Sequence, residues 1–270
     1  MASRIVAAIL ATVGTLLLVV GMAAGVTRYE VLDSARFTAT ADQIRKDPQV
    51  AHQLGIVVSD RIVAANPNLR LLRPLVQRTA TSVIARDSLS PFIQDAVHPL
   101  HQAIVSGHAS DAALQLNQVG AEVVEALRLV RPDLQISQPS DLAVGRQALG
   151  AQRALETVAK VSGWVTLASW LSPLIGVLLL ILAGALRGGL RGAVRWVGVG
   201  LLCAGVLFAA AVGLGTLAAN SITVTSVATA AVKAGWPLWS PTLWTLAGIV
   251  AVIGVILTAA SHLRRDPHRG

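Results

Sequence analysis

Residues 165–219 read VTLASWLSPLIGVLLLILAGAL (165–186), RGGLRGAVR (187–195) and WVGVGLLCAGVLFAAAVGLGTLAA (196–219). Two apolar runs flank a short link that holds three arginines and no acid. Each run has roughly 20 residues or more, enough at about 1.5 Å rise per residue to cross a hydrocarbon core of about 30 Å. Two further runs match them, Ile5 to Val26 before this stretch and Pro241 to Ala260 after it. Between Glu156 and Asp266 the chain has no acidic residue at all. Only helices satisfy their own backbone in lipid at this length, so four transmembrane helices are expected. A hydrophobic share of 54% agrees with membrane insertion.

The arginines set the threading. Arg4 precedes the first run, Arg187, Arg191 and Arg195 fill the link, and Arg264, Arg265 and Arg269 follow the fourth run. The positive-inside rule places all of them in the cytoplasm, with both termini. The stretch from Arg28 to Lys160 then lies outside, and its 14 basic and 13 acidic residues nearly cancel. The net charge of +8 is therefore topological and does not point to nucleic-acid binding. All six tryptophans fall between positions 164 and 244, at the expected ends of the runs. Amphipathic rings favour headgroup depth, which supports these boundaries. Arg4, the first apolar run and the small residues Gly21 to Ala24 also fit a cleavable signal peptide, and that alternative to an uncleaved anchor stays open.

The expected fold is an all-α membrane protein: four transmembrane helices, with a mostly helical extracytoplasmic domain inserted between helices 1 and 2. Residues 1–27 form the first helix and 28–160 the external domain. Residues 161–270 form a three-helix region with a cytoplasmic loop at 187–195, an outer loop at 220–240 and a cytoplasmic tail at 261–270. Within the domain, Ser34 is the expected cap of a helix from Ala35 to Lys46, and Asp47-Pro48 opens a second with Val50, Leu54, Val58 and Ile62 at helical spacing. A third spans about Leu71 to Ala85. A fourth starts at Ser90-Pro91, with Pro99 as a kink. The short segments Asp111 to Leu116 and Asp133 to Ser137 are expected to pair as small strands around a helix from about Gln118 to Val130. Ser140 is expected to cap a long helix from Asp141 to Lys160. The outer loop, ending in Gly235-Trp236-Pro237-Leu238-Trp239, reads as a short interfacial helix. Residues from about Thr27 to Lys160 are expected to fold alone.

The run Leu32-Asp33-Ser34-Ala35-Arg36-Phe37, followed by Asp47-Pro48-Gln49-Val50 and its helix, resembles a group of actinobacterial integral membrane proteins. Phe92 to Ile104, with His101, and Leu114-Gln115-Leu116 resemble the same pattern, whereas Pro99 departs from it. The resemblance covers most of residues 1–190. It implies an N-terminal anchor, a helical extracytoplasmic domain and later transmembrane helices, and it carries no biochemical activity.

Chemistry is sparse. Asp95, His98 and His101 recur every three residues, so a helix would present a carboxylate and two imidazoles as a candidate metal site, with His108 and Asp111 nearby. A solvated helix face with one packed histidine explains the same residues. No HExxH, CxxC, GxSxG or phosphate loop accompanies them, no catalytic residue is assigned, and no cofactor is expected. Cys203 is the only cysteine and reads as a small core residue. No run carries Asp, Glu, Lys, Arg or His at its middle, which argues against an ion-coupled transporter. Small residues (Gly21 and Gly25 in the first run; Gly205, Ala209 and Gly213 in the third) serve either packing within one chain or self-association. The favoured function is a structural or interaction protein of the cell envelope, with the lipid bilayer and an envelope protein or a second copy as partners. A small lipid or solute transport component or channel, and an outer-leaflet enzyme on lipid-linked substrates, remain alternatives.

Overall fold

A computed structural model of the chain describes residues 2–106, 113–138, 142–145 and 152–263. In order, the elements are α1 (Ala2–Thr27), a π turn (Arg28–Leu32), α2 (Ser34–Arg45), α3 (Pro48–Ala65), a 3-10 turn (Pro67–Leu72), α4 (Arg73–Ile84), a 3-10 turn (Asp87–Leu89), α5 (Ser90–Val105), β1 (Ala113–Gln115), α6 (Asn117–Val130), β2 (Ala143–Gly145), α7 (Gln152–Ser221) and α8 (Val227–Leu263). They divide into two compact units. One comprises Met1–Tyr29, Trp164–Ala218 and Trp239–Gly270; the other comprises Glu30–Gly163 and Ala219–Leu238.

Three helical stretches are long and apolar enough to cross a membrane, Ser3–Leu32, Ser162–Ser221 and Val227–His262, and most of their length makes up the first unit. The middle stretch has 60 residues, more than twice the length one crossing needs. Its backbone leaves the helix at Gly188 (φ −171°) and Gly189 (φ 63°), the latter a left-handed conformation that costs glycine nothing. The chain reverses there. Gly184 lies against Gly192 and Ala193, and Gly200 lies against Leu180.

Glycines line the close crossings of this unit. A Cβ on Gly14 would sit 2.8 Å from the Gly176 carbonyl oxygen, and one on Gly198 would sit 2.7 Å from the Thr258 nitrogen. Gly21 faces the Pro173 ring and Gly205 the backbone of Ala247 and Ala251, while Gly25 has nothing within 4 Å. Gly21 and Gly205 therefore serve contacts within this chain. The interior is filled by Ala7, Ala11, Leu18, Leu180, Ala183 and Ala204. Large apolar side chains such as Ile5, Leu16, Leu178, Leu214 and Ile256 point outward and are exposed. Small inside and large apolar outside is the arrangement of helices whose solvent is lipid. The hydroxyls of Thr12, Thr15, Thr216, Thr245 and Thr258 each donate to the carbonyl four residues back. They add no unpaired polar group to the apolar surface. Cys203 is exposed, not buried, because it falls on the outer side of its arm.

In the second unit, local capping starts the helices. Asp33, rather than Ser34, caps α2 by accepting the Arg36 N–H at 2.9 Å. Asp47 caps α3 by accepting from Gln49 and Val50 at 2.9 and 3.2 Å, with Pro48 in the first turn where its missing N–H costs nothing. Val50, Leu54, Val58 and Ile62 line one face of α3 and are buried, as their spacing requires. They share one core with Val76, Ala80, Val83 and Ile84 of α4 and with Val119, Val123 and Leu127 of α6. Side chains as large as Ile62, Leu69, Leu127 and Leu142 are fully buried, each contributing about 1.5–3 kcal/mol. The core also takes in Val227 and Ala230, with Val224 and Ala234 packed against it. The segment read as an interfacial helix is thus part of this core, and residues 27–160 do not close it alone.

Two local expectations are corrected. β1 pairs antiparallel with Ala143–Gly145, not with 133–137. The backbone of 133–137 is claimed by side chains instead. The buried Asn66 amide donates to the Ser137 carbonyl at 3.0 Å and accepts its N–H at 2.8 Å, and Arg128 donates to the Ile136 carbonyl at 2.8 Å. Leu142, fully buried, brings in the true partner: its N–H donates to the Asn117 Oδ1 at 2.6 Å and its carbonyl accepts from Leu116 at 3.2 Å. Residues 143–145 of the helix expected from Asp141 therefore lie in β2, and α7 is described from Gln152. Ser140 lies outside the described residues.

The strongest polar contact in this unit is a buried guanidinium. Arg45, 2% exposed at the end of α2, donates to the carbonyls of Ile84 and Arg86, to Ser90 Oγ at 2.9 Å and to Asp42 Oδ1 at 2.8 Å. Ser90 Oγ also donates to Asp42 Oδ2 at 3.1 Å. The group ties the end of α2 to the carbonyls left open at the end of α4 and to the start of α5.

Candidate functional site

The sequence-marked residues lie on α5, which continues as a helix through Pro99. Each step of three residues along a helix falls about 60° short of a full turn. Asp95 and His98 are therefore exposed, while His101 is carried inward and is 6% exposed. The His101 ring packs against Phe37 of α2, with centroids 5.0 Å apart and a 44° tilt. Its Nε2 is buried without a hydrogen-bond partner among the described residues. His98 Nε2 lies 2.9 Å from Gln102 Nε2, one turn along the same helix. Among the described residues no group of three His, Cys, Asp or Glu stands close enough to hold a metal ion. His108 and Asp111 lie outside the described residues. An open recess of about 850 Å³ runs along this helix, lined by Ser34, His98, His101, Gln102 and Ser106 among others. Its polar groups suit hydrogen bonding, and they include no nucleophile paired with a base.

A second recess, of about 610 Å³, lies between α4 and α6 and has no counterpart in the sequence reading. Arg78 and Arg86 come from the α4 side, Glu122 and Glu125 from α6, with Leu129 and Val130 at one end. No ion pair joins the arginines to the glutamates. Leu129 is 80% exposed and Val130 59%. Exposed apolar side chains beside charges of both signs make a surface suited to another macromolecule more than to a small substrate. The spacing of α6 foreshadows it, because Glu122, Glu125 and Leu129 share one face. Only packing against α4 brings Arg78 and Arg86 opposite.

Comparison with protein-family models, with curated proteins and with solved structures finds no match to this chain. Function therefore rests on the geometry alone.

Proposed function

We propose that the chain is a multi-pass membrane protein of the cell envelope that carries a helical domain outside the bilayer to bind a protein partner or envelope component. The observation that carries this reading is the contrast between the two units. One turns large apolar side chains outward and keeps ionisable groups to the ends of its helices; the other buries its apolar residues and shows charge. The break at Gly188 and Gly189 divides the 60-residue stretch into two arms, each long enough for one crossing, which supports a reading with four crossings and, by the positive-inside rule, both termini in the cytoplasm. The domain is then inserted between the first and second crossings. It is completed by the loop between the third and fourth. The resemblance to a group of actinobacterial integral membrane proteins implies the same layout. The groove between α4 and α6 favours binding over catalysis.

Threading and binding are tested together, in a Cys203→Ala background. Single cysteines at Ser88 and Val232, both exposed, react with an impermeant maleimide in intact cells. A cysteine at Gly188, where the backbone is extended and nothing crowds a Cβ, reacts only after permeabilisation. Labelling of Gly188→Cys in intact cells would overturn the threading. A photocrosslinking residue at Thr79 captures a membrane-associated partner, and Leu129→Glu abolishes the product; a product indifferent to Leu129→Glu moves the partner off this groove.

A further inference from the structure

The groove between α4 and α6 sorts its charges by wall. Arg78 and Ser82 lie four residues apart on one face of α4, and Arg86 follows just past its end; all three are exposed. Glu122 and Glu125 stand opposite on α6, three residues apart on one face. The basic wall and the acidic wall face the groove without an ion pair joining them across it. Where α6 ends the surface turns apolar, with Leu129 80% and Val130 59% exposed. Arg131, the next residue, is engaged at that end by Asp133, which accepts from its Nε at 3.1 Å.

Charges of both signs on opposite walls suit neither a purely acidic nor a purely basic partner, because either would meet like charge on one side. They suit their own image. A two-fold axis running along the groove turns a second copy so that its basic wall lies over the acidic wall of the first, and the reverse. The same axis keeps each residue at its own height, so the apolar end with Leu129 and Val130 meets its counterpart. The lining holds as many arginines as glutamates, so the pairing leaves no charge over. Residues 28–160 hold 14 basic and 13 acidic residues, so two such domains meet with little net repulsion. We infer that this groove is a self-complementary interface whose occupant is a second copy of this chain. The inference rests on the reading of the groove as a binding surface and names its partner. Confinement of both copies to one membrane raises their local concentration, so a surface below the about 1,200 Å² of a stable soluble complex suffices.

The test co-expresses two differently tagged forms of the full chain, each with a photocrosslinking residue at Thr79 in the groove wall. The expected product has twice the mass of the chain and carries both tags. Arg78→Glu with Arg86→Glu makes the groove wholly acidic, and Glu122→Arg with Glu125→Arg makes it wholly basic. Either double variant paired with itself lowers the doubly tagged product about tenfold or more, through like-charge repulsion. Co-expression of the acidic form with the basic form restores it to near the wild-type yield, a rescue that also shows both variants to be folded. Should the variants not accumulate, a single cysteine at Val130 in the Cys203→Ala background gives the answer. A short bismaleimide then links two copies at their apolar ends, and Leu129→Glu prevents the link. A doubly tagged product indifferent to both charge reversals, or a Val130→Cys chain that stays unlinked, overturns the interface. A product with one tag only, lost with Leu129→Glu, keeps the groove as a binding surface and gives it to a different protein. Absence of any product that Leu129→Glu removes sinks the binding reading beneath this inference.

Discussion

A fragment of residues 30–163 melts roughly 10–15 °C below the same fragment joined by a flexible linker to residues 219–238, or loses its cooperative transition altogether. Val227 and Ala230 are buried in the core formed by α3, α4 and α6, and Val224 and Ala234 pack against it. Removing the segment exposes both sides of that contact, a loss on the order of 4 kcal/mol. Domains of this size are stable by only about 5–15 kcal/mol, so the loss is a large fraction of the whole, and each kcal/mol shifts the midpoint by about 2–4 °C. Circular dichroism of the two fragments checks the result. Ala230→Glu, a charge placed at a position 1% exposed, reproduces it in a single residue. Equal, cooperative melting of both fragments would show that the segment contributes nothing to this core.

Arg45→Met costs about 3–5 kcal/mol, measured by urea unfolding of the joined domain. The substitution keeps a long side chain but leaves the Ile84 and Arg86 carbonyls and the Asp42 carboxylate without their shared donor. Arg45→Lys recovers little, because one ammonium cannot reach carbonyl, hydroxyl and carboxylate in a planar fork. The same cluster sets an acid limit. Burial raises the Asp42 pKa, but hydrogen bonds from Ser90 and Arg45, with the charges of Arg45 and Lys46, outweigh it and hold the carboxyl below its ordinary range. A carboxylate whose pKa is depressed by folding contributes stability above its unfolded value, about 3.9, and loses it as pH falls through the folded value. Unfolding midpoints should therefore drop below about pH 4, and Asp42→Asn should flatten the drop while lowering stability at neutral pH. Asp87 is also held low, first by its hydrogen bond from Lys46, but it is exposed and solvent screens its share. An Asp42→Asn profile parallel to the wild type would remove Asp42 from this role.

Much of the architecture was legible because its causes are local. Asp47-Pro48 opens a helix through a side chain two and three residues from the N–H groups it caps, and the spacing of Val50 to Ile62 names the buried face without any partner in view. The apolar runs and the arginines between them depend on the preference of each residue for lipid or water, which is additive along the chain. The arginines of the link at 187–195 separate two such runs, and the backbone breaks there at Gly188 and Gly189. The trio Asp95, His98 and His101 was visible as a spacing, but three-residue steps roll around the helix and bury the last member against Phe37.

What the chain order conceals is which distant segments meet. Nothing near Asp133 to Ser137 says that Asn66 will occupy its backbone groups, nor that Leu142 will draw Ala143–Gly145 to β1. The groove of Arg78, Arg86, Glu122 and Glu125 exists only once α4 lies against α6. Val227 and Ala230 look like interfacial residues in a loop of threonine, valine and alanine until a core far earlier in the chain, from Val50 to Leu142, receives them. By itself, the sequence determined which stretches are apolar enough for lipid, where helices start, and where charge collects, because capping, periodicity and transfer from water act within a few residues. Only the tertiary structure decided the composition of the second core, the pairing of the small sheet and the Arg45 clasp. Those depend on close packing and on polar groups finding partners far away in sequence, and no local preference encodes that.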